Sequence, residues 1–267
     1  MSGVMGLLSD FGLRDGYVGV MKAVALGIAP DARFVDISHD IAPQDIEMGS
    51  WTLGMAWRYF PAGSVLVCVV DPGVGGARRA LALETGGRFL VGPDNGLFTH
   101  ALARSPIDRC VALTNATYHL PGASATFHGR DIFAPCAAHL LAGVALDSLG
   151  DPLDPATLVR LPIPLAPAWE DDTLVGRVAH VDHFGNLISD IPLARPDTLL
   201  ALSVRVEIAG RVIARSATHF AAGPEGEPFA LRDSSGALAI AARDVSAAAM
   251  LGAGRGAAVR VRGLPYP

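Results

Sequence analysis

Short apolar runs, each closed by a turn of Gly, Pro, Asp or Asn, recur along the first half of the chain and alternate with longer stretches whose apolar residues fall at helical spacing. Val4 to Leu8 reads as a first strand that ends at Ser9-Asp10-Phe11-Gly12, and Tyr17 to Ala29 as a helix stopped by Pro30. Ala32 to Ile37 predicts a second strand, and Asp45 to Tyr59, with Ile46, Trp51, Leu53 and Trp57 at helical intervals, a second helix. Val65 to Val70 is apolar throughout and too short for a helix, so it predicts a strand buried on both faces. Ala80 to Leu83 and Phe89 to Val91 predict a hairpin. Pro93-Asp94-Asn95-Gly96 predicts a turn into a helix from Leu97 to Ala103, and Asp131 to Leu141 the last helix of this half. Alternating strands and helices predict an α/β domain over residues 1–150, a mixed sheet with helices on both faces.

The pattern changes after that. Residues 151–172 carry five prolines and no periodicity suited to a helix or a central strand, which predicts a proline-rich linker. Beyond it, Leu174 to Val181, Leu202 to Ile208, Val212 to Ala214, Phe229 to Leu231, Ala237 to Ala241 and Ala257 to Val261 read as short strands between turns, and helix signals nearly vanish. Residues 173–267 are therefore expected to form a smaller C-terminal antiparallel β-barrel domain. No internal repeat is visible.

Composition narrows the function classes. The chain of 267 residues is 51% hydrophobic and 18% charged, a globular composition, and no apolar run reaches the roughly 20 residues that span a bilayer. No basic segment precedes the N-terminal apolar run, so neither a signal peptide nor a membrane partner is expected. A net charge of -5 without a dense Lys/Arg cluster argues against a nucleic-acid partner. Cys68, Cys110 and Cys136 stand singly in apolar surroundings, the pattern of reduced core thiols in a cytoplasmic protein.

Clusters of polar residues interrupt the apolar pattern: Asp10 and Asp15 after the first strand, Asp71 and Arg78 after the third, His128 at a helix entrance, Asp182 to Asn186, and Asp233-Ser234-Ser235-Gly236. Asp71 could simply cap its own turn, and Gly73, Gly75 and Gly76 let the backbone turn tightly or approach a ligand. Ligands of open α/β sheets, however, bind outside the carboxyl ends of the strands. Asp10, His39, Asp40, Asp71 and His128 lack the spacings of a metal site, no GK[ST] follows the glycine loop, and no GxSxG marks a serine hydrolase. A carboxylate, a guanidinium and an imidazole remain, able to hold and polarise a water molecule for a nucleophilic displacement.

The segments SDFGLRDGYVGVMKA, VDPGVGGARR, VGPDNGLF, FHGRDIFAP, DHFGNLI and DSSGALAIA, in this order from Ser9 to Ala241, resemble the successive motifs of the S-adenosyl-L-methionine hydroxide adenosyltransferase family, relatives of the fluorinase and chlorinase. The resemblance implies hydrolysis of S-adenosyl-L-methionine to adenosine and L-methionine without a cofactor or metal. It also implies a homotrimer with small-molecule sites at subunit interfaces. Asp71, Arg78 and His128 match the family's water-activating triad, Asp10 the ribose-binding carboxylate and Asn186 the adenine-binding amide, with Phe184 placed to pack on the substrate. Asp15, Asp182, Ser234 and Ser235 match positions near the methionine head group. Halogenating relatives carry Tyr in place of Asp71, and the fluorinase has Ser in place of Gly129; this chain has neither, which implies water as the nucleophile. Asp233, Ala239 and Tyr17 depart from the pattern. A non-catalytic adenosine or S-adenosyl-L-methionine binding protein is the alternative, separated from the enzyme by whether methionine is released.

Overall fold

A computed structural model describes residues 3–103, 105–164, 166–195, 198–201 and 204–264. The chain forms two compact units, Met1–Pro162 and Ile163–Pro267. The seam falls inside the proline-rich segment, which is not structureless. Pro152 bridges Val111, and the Thr157 carbonyl accepts from Arg79 Nη2 at 2.6 Å, while Ala168–Glu170 forms a strand of the second unit. Carbonyls can pair where proline has no N–H to give.

In the first unit the sheet runs β2-β1-β3-β5-β4-β6, built from β1 (Val4–Ser9), β2 (Arg33–Ser38), β3 (Val65–Val69), β4 (Ala80–Thr85), β5 (Arg88–Pro93) and β6 (Arg109–Ala112). β2, β1, β3 and β5 are parallel; β4 is antiparallel to both of its neighbours. The helices are α1 (Tyr17–Ile28), α2 (Ile46–Ala56), α3 (Thr99–Leu102) and α4 (Ala134–Leu141). β3 shows why its sequence is an unbroken apolar run. Val65, Val67 and Val69 enter one core with Met21 and Ala25 of α1 and Ala137 of α4, while Leu66, Cys68 and Val70 enter another with Leu53 of α2 and Ala101 of α3. A period of two thus feeds two apolar layers, and every residue of the strand is buried.

The expected strands and helices of this half are present, with three differences. The helix expected from Asp131 begins earlier, as a π-helical turn over Gly129–Phe133 that continues into α4. The helix expected over Leu97 to Ala103 shortens to the single turn of α3. β6 went unread because its short apolar stretch pairs only with the distant β4.

The second unit is an antiparallel, nearly closed barrel in the order β11-β10-β14-β8-β9-β13-β12, with β7 (Ala168–Glu170) beside β8 (Thr173–Val181). The remaining strands are β9 (Leu187–Pro192), β10 (Arg205–Ile208), β11 (Arg211–Ile213), β12 (Pro228–Arg232), β13 (Ala237–Ala242) and β14 (Ala258–Arg262). After β11, Ser216 bridges Ala230 of β12 and draws the two ends of the sheet together. Leu238 and Ile240 face the main interior with Val178, Leu187 and Val259, while Ala239 and Ala241 meet Phe229 and Leu231 on the other face. β13 is covered on both sides, which accounts for its continuous apolar sequence. The first two residues of the strand expected over Leu202 to Ile208 lie outside the described residues, Val204 precedes the strand, and the rest is β10. Two short helices, α5 (Thr198–Ala201) and α6 (Ala247–Leu251), interrupt the strands. Among the described residues no helix is long and apolar enough to cross a membrane.

Candidate active site

β1 and β3 are parallel neighbours with Ser9 beside Val69, so the turns that follow them leave the same carboxyl edge of the sheet. The second of these turns carries Asp71 and Arg78. Arg78 Nε donates to both carboxylate oxygens of Asp71, at 3.0 and 3.1 Å, and its Nη2 donates to Asp71 Oδ2 and, at 2.6 Å, to His128 Nδ1. Both side chains of the ion pair are nearly enclosed, Asp71 at 4% and Arg78 at 11% exposure. The Phe133 ring lies 5.4 Å from the guanidinium carbon. A guanidinium has only donors, so His128 Nδ1 must be the acceptor and Nε2 the protonated nitrogen. Burial, reinforced by the Arg78 cation, holds the His128 pKa below its ordinary value, which keeps the ring neutral.

The loop before His128 is fastened from beneath. Asp131 Oδ2 accepts from Ser124 N and Oγ, both at 2.8 Å, and the Asp131 carbonyl accepts from Leu120 N at 2.9 Å. Gly75, at φ 75°, meets this loop so closely that a Cβ there would stand 2.2 Å from the Ala125 oxygen. That glycine serves loop-to-loop packing. Between these loops and the start of α1 lies a cavity of about 140 Å³ with Asp71 and His128 in its wall, together with Phe11, Tyr17 and Phe127.

Asp10 is half-buried, and its Oδ2 accepts from Gln44 N at 2.8 Å. Asp15 is exposed on the turn before α1. His39 is buried, with Nδ1 2.7 Å from Ser9 Oγ; its Nε2 stands 3.2 Å from Asp36 Oδ1 without a hydrogen bond among the described residues.

In the second unit, Asp182 organises the β8–β9 turn. Its Oδ1 accepts from Phe184 N at 3.0 Å and Asn186 N at 2.9 Å, and its Oδ2 from Asn186 Nδ2 at 2.7 Å. Gly185, at φ 80°, lies against Ser246, leaving no room for a side chain. The turn presents buried Asn186 beside Phe184, which is 76% exposed. Both line a cavity of about 750 Å³ with Phe220, Arg243 and Val245. The Asp233–Gly236 turn is closed in the same manner, Asp233 Oδ1 accepting from Ser235 N, Ser235 Oγ and Ala237 N, while Ser234 is exposed. It lies at the far end of β9, where Ala237 pairs with Pro192, whereas Asn186 adjoins Leu187 opposite Ile240. The structure therefore joins Asp71, Arg78 and His128 directly, sets Asp10 on the same sheet edge, and separates Asn186 from Ser234 and Ser235 by the length of a strand.

Sequence reasoning did not single out Phe11, Phe127, Phe220, Arg243 or Val245. The available signal was large apolar side chains within turn sequences, and only their exposure in the folded chain, 51% for Phe220 and 50% for Val245, makes it visible.

The family described as SAM hydroxide adenosyltransferase N-terminal domain matches residues 5–150, and its C-terminal counterpart matches residues 176–260. A Thermus thermophilus protein named (R)-S-adenosyl-L-methionine hydrolase is 43% identical over 263 residues, covering 95% of this chain and 97% of its own. A Salinispora arenicola protein of the same name is 42% identical over 255 residues, 95% of each chain. A fluorinase from Nocardia brasiliensis is 27% identical over 97% of this chain and 96% of its own. A crystal structure described as an uncharacterized conserved protein from Thermotoga maritima superposes with a TM-score of 0.86 at 33% identity, covering 97% of this chain and 99% of that one.

Proposed function

The chain belongs to the SAM hydroxide adenosyltransferase family, and from that premise we propose how its residues carry out the reaction. The protein is an S-adenosyl-L-methionine hydrolase, as its near full-length relatives are named. The observation that carries the mechanism is the direct contact of Asp71, Arg78 and His128 at the wall of the small cavity. A water molecule in that cavity attacks C5′ of the ribose in line with the carbon–sulfur bond. The C5′–O bond forms, the C5′–S bond breaks with its electron pair going to sulfur, and methionine leaves as a neutral thioether. The products are adenosine, methionine and one proton.

A thioether needs no acid to leave, so the work of the site lies on the water. Asp71 accepts a hydrogen bond from it and aims its lone pair, while His128, fixed by Arg78 with Nε2 as its donor, stabilises the developing hydroxide character. Alignment of this kind contributes roughly 7 to 11 kcal/mol in well-oriented reactions. Asp10, on the same sheet edge, is assigned to the ribose hydroxyls, where two acceptor oxygens meet two donors. The cavity beside Asn186 takes the adenine: exposed Phe184 and Phe220 offer stacking faces and the amide a base edge. Asp15, Ser234 and Ser235 are assigned to the methionine head group, the carboxylate toward its ammonium and the hydroxyls toward its carboxylate, whereas Asp182, bonded to Asn186, holds the turn at the adenine end. No cofactor takes part in this scheme, and the preferred substrate is the sulfonium epimer in the relatives' name. We assign the protein to the cytoplasm, supported by three buried free thiols. We also assign it to a homotrimer with sites at subunit interfaces, on the family resemblance.

The test is turnover in ¹⁸O-water. One heavy oxygen is expected in the 5′-hydroxyl of adenosine and none in methionine, and Asp71→Asn is expected to lower kcat by about 100-fold or more, the scale of one acid-base group. Stoichiometric binding without release of methionine would replace the hydrolase with a binding protein. Labelled homoserine beside methylthioadenosine, or labelled methanol beside S-adenosyl-L-homocysteine, would move the attack from C5′ to another sulfonium carbon.

A further inference from the structure

Three aromatic rings on the wall of the small cavity have no part in the Asp71–Arg78–His128 contact. Phe11, Tyr17 and Phe127 stand with ring centroids 5.2 to 5.8 Å apart, and their planes are inclined to one another by 56°, 75° and 80°. Folding alone does not account for all of them, because Tyr17 remains 48% exposed. Phe127 already receives one cation, the Arg130 guanidinium, 5.2 Å from its centroid. A cavity of about 140 Å³ is too small for a whole ligand, whose pockets run to roughly 300–1,000 Å³, yet several times the ~30 Å³ share of one water. It has the size for a reacting centre and its nucleophile.

The electrostatics of the wall sharpen the point. Asp71 is the carboxylate lining the cavity, and it is paired with Arg78; His128 carries no charge to offer. A cation arriving there meets no unpaired anion and stands near a guanidinium. Resting on the hydrolase reading, we propose that Phe11, Tyr17 and Phe127 form a cation-π cage that holds the substrate's sulfonium. All three rings line this one cavity, where an electron-rich ring face within about 6 Å can attract an onium group. The charge is lost as C5′ leaves sulfur, so the cage stabilises the substrate more than the transition state. Its value lies in capture of the cation and rejection of the neutral thioether, and its removal is therefore expressed in KM more than in kcat.

The experiment compares two ligands that differ in that charge. Calorimetric affinities for S-adenosyl-L-methionine and for the neutral thioether S-adenosyl-L-homocysteine are measured in the slow Asp71→Asn background, alone and combined with Tyr17→Leu, Tyr17→Phe or Phe127→Leu. The ratio of the two affinities is expected to fall by about 2- to 30-fold in each Leu variant and to survive in Tyr17→Phe. Binding of the neutral ligand doubles as the test of folding. Equal weakening of both ligands, or a ratio unchanged by Leu, would mean an ordinary apolar wall and overturn the cage. A wild-type protein that forms no adenosine from S-adenosyl-L-methionine overturns the hydrolase reading instead, whatever the ratio shows.

Discussion

A single guanidinium sets the state of Asp71 and His128, the two groups proposed to face the reacting water. Arg78 spends Nε on Asp71 and divides Nη2 between Asp71 and His128, so its fork fixes one carboxylate and one imidazole tautomer together. The sign of the pH dependence follows. Protonation of His128 would remove the acceptor that Arg78 uses and place two cations side by side, and both burial and Arg78 oppose it. Activity is expected to be full above the ordinary histidine pKa of about 6.5 and to fall on the acid side with an apparent pKa below that value. A pH profile of kcat/KM checks this; an acid limb above pH 6.5 would assign it to another group. His128 and Asp71 were legible as polar interruptions of apolar sequence, but their contact was not, because 50 residues separate Arg78 from His128.

At the scale of the element, β3 and the two loops it supports decide where those residues stand. β3 is fixed by sequence, since an apolar run of that length can only be a doubly covered strand in this context. The glycine loop after it was read as a tight turn or a ligand cradle, and the structure gives Gly75 a different task, contact with Ala125 of the His128 loop. Gly75→Ala combines a strained positive φ with a clash against backbone, so it is expected to destabilise the protein by about 1–3 kcal/mol and to lower kcat by displacing both loops. Denaturant unfolding with parallel kinetics checks it; wild-type values for both would show that the loops yield freely. β6 and the π-helical start of the last helix of this unit were illegible because long-range pairing and the anchoring of Asp131, not local spacing, define them.

For the whole molecule, two compact units carry the two sets of residues proposed for the site: Asp10, Asp15, Asp71, Arg78 and His128 in one, Asp182, Phe184, Asn186, Ser234 and Ser235 in the other. Within the second unit Asn186 and the paired serines stand at opposite ends of β9, roughly 15–20 Å apart by strand rise, so one compact ligand does not reach both within a turn's breadth. An extended substrate lying along the barrel suits that separation, and the trimer assigned above is its wider setting. Native mass spectrometry is expected to show three chains per particle, and a monomer at micromolar concentration with full turnover would remove the interface site.

The sequence by itself determined the alternation of elements, the two-part organisation and the residue types of the proposed hydrolytic centre, because burial periodicity and turn chemistry are local and act within a few residues. The motif order also identified the family. Only the tertiary structure decided that Arg78 holds Asp71 and His128 together, that burial beside Arg78 lowers the His128 pKa, and that Phe11, Tyr17 and Phe127 share one small cavity. Those facts depend on distances between segments far apart in the chain and on the exclusion of water around them, and neither quantity is written in any local stretch of sequence.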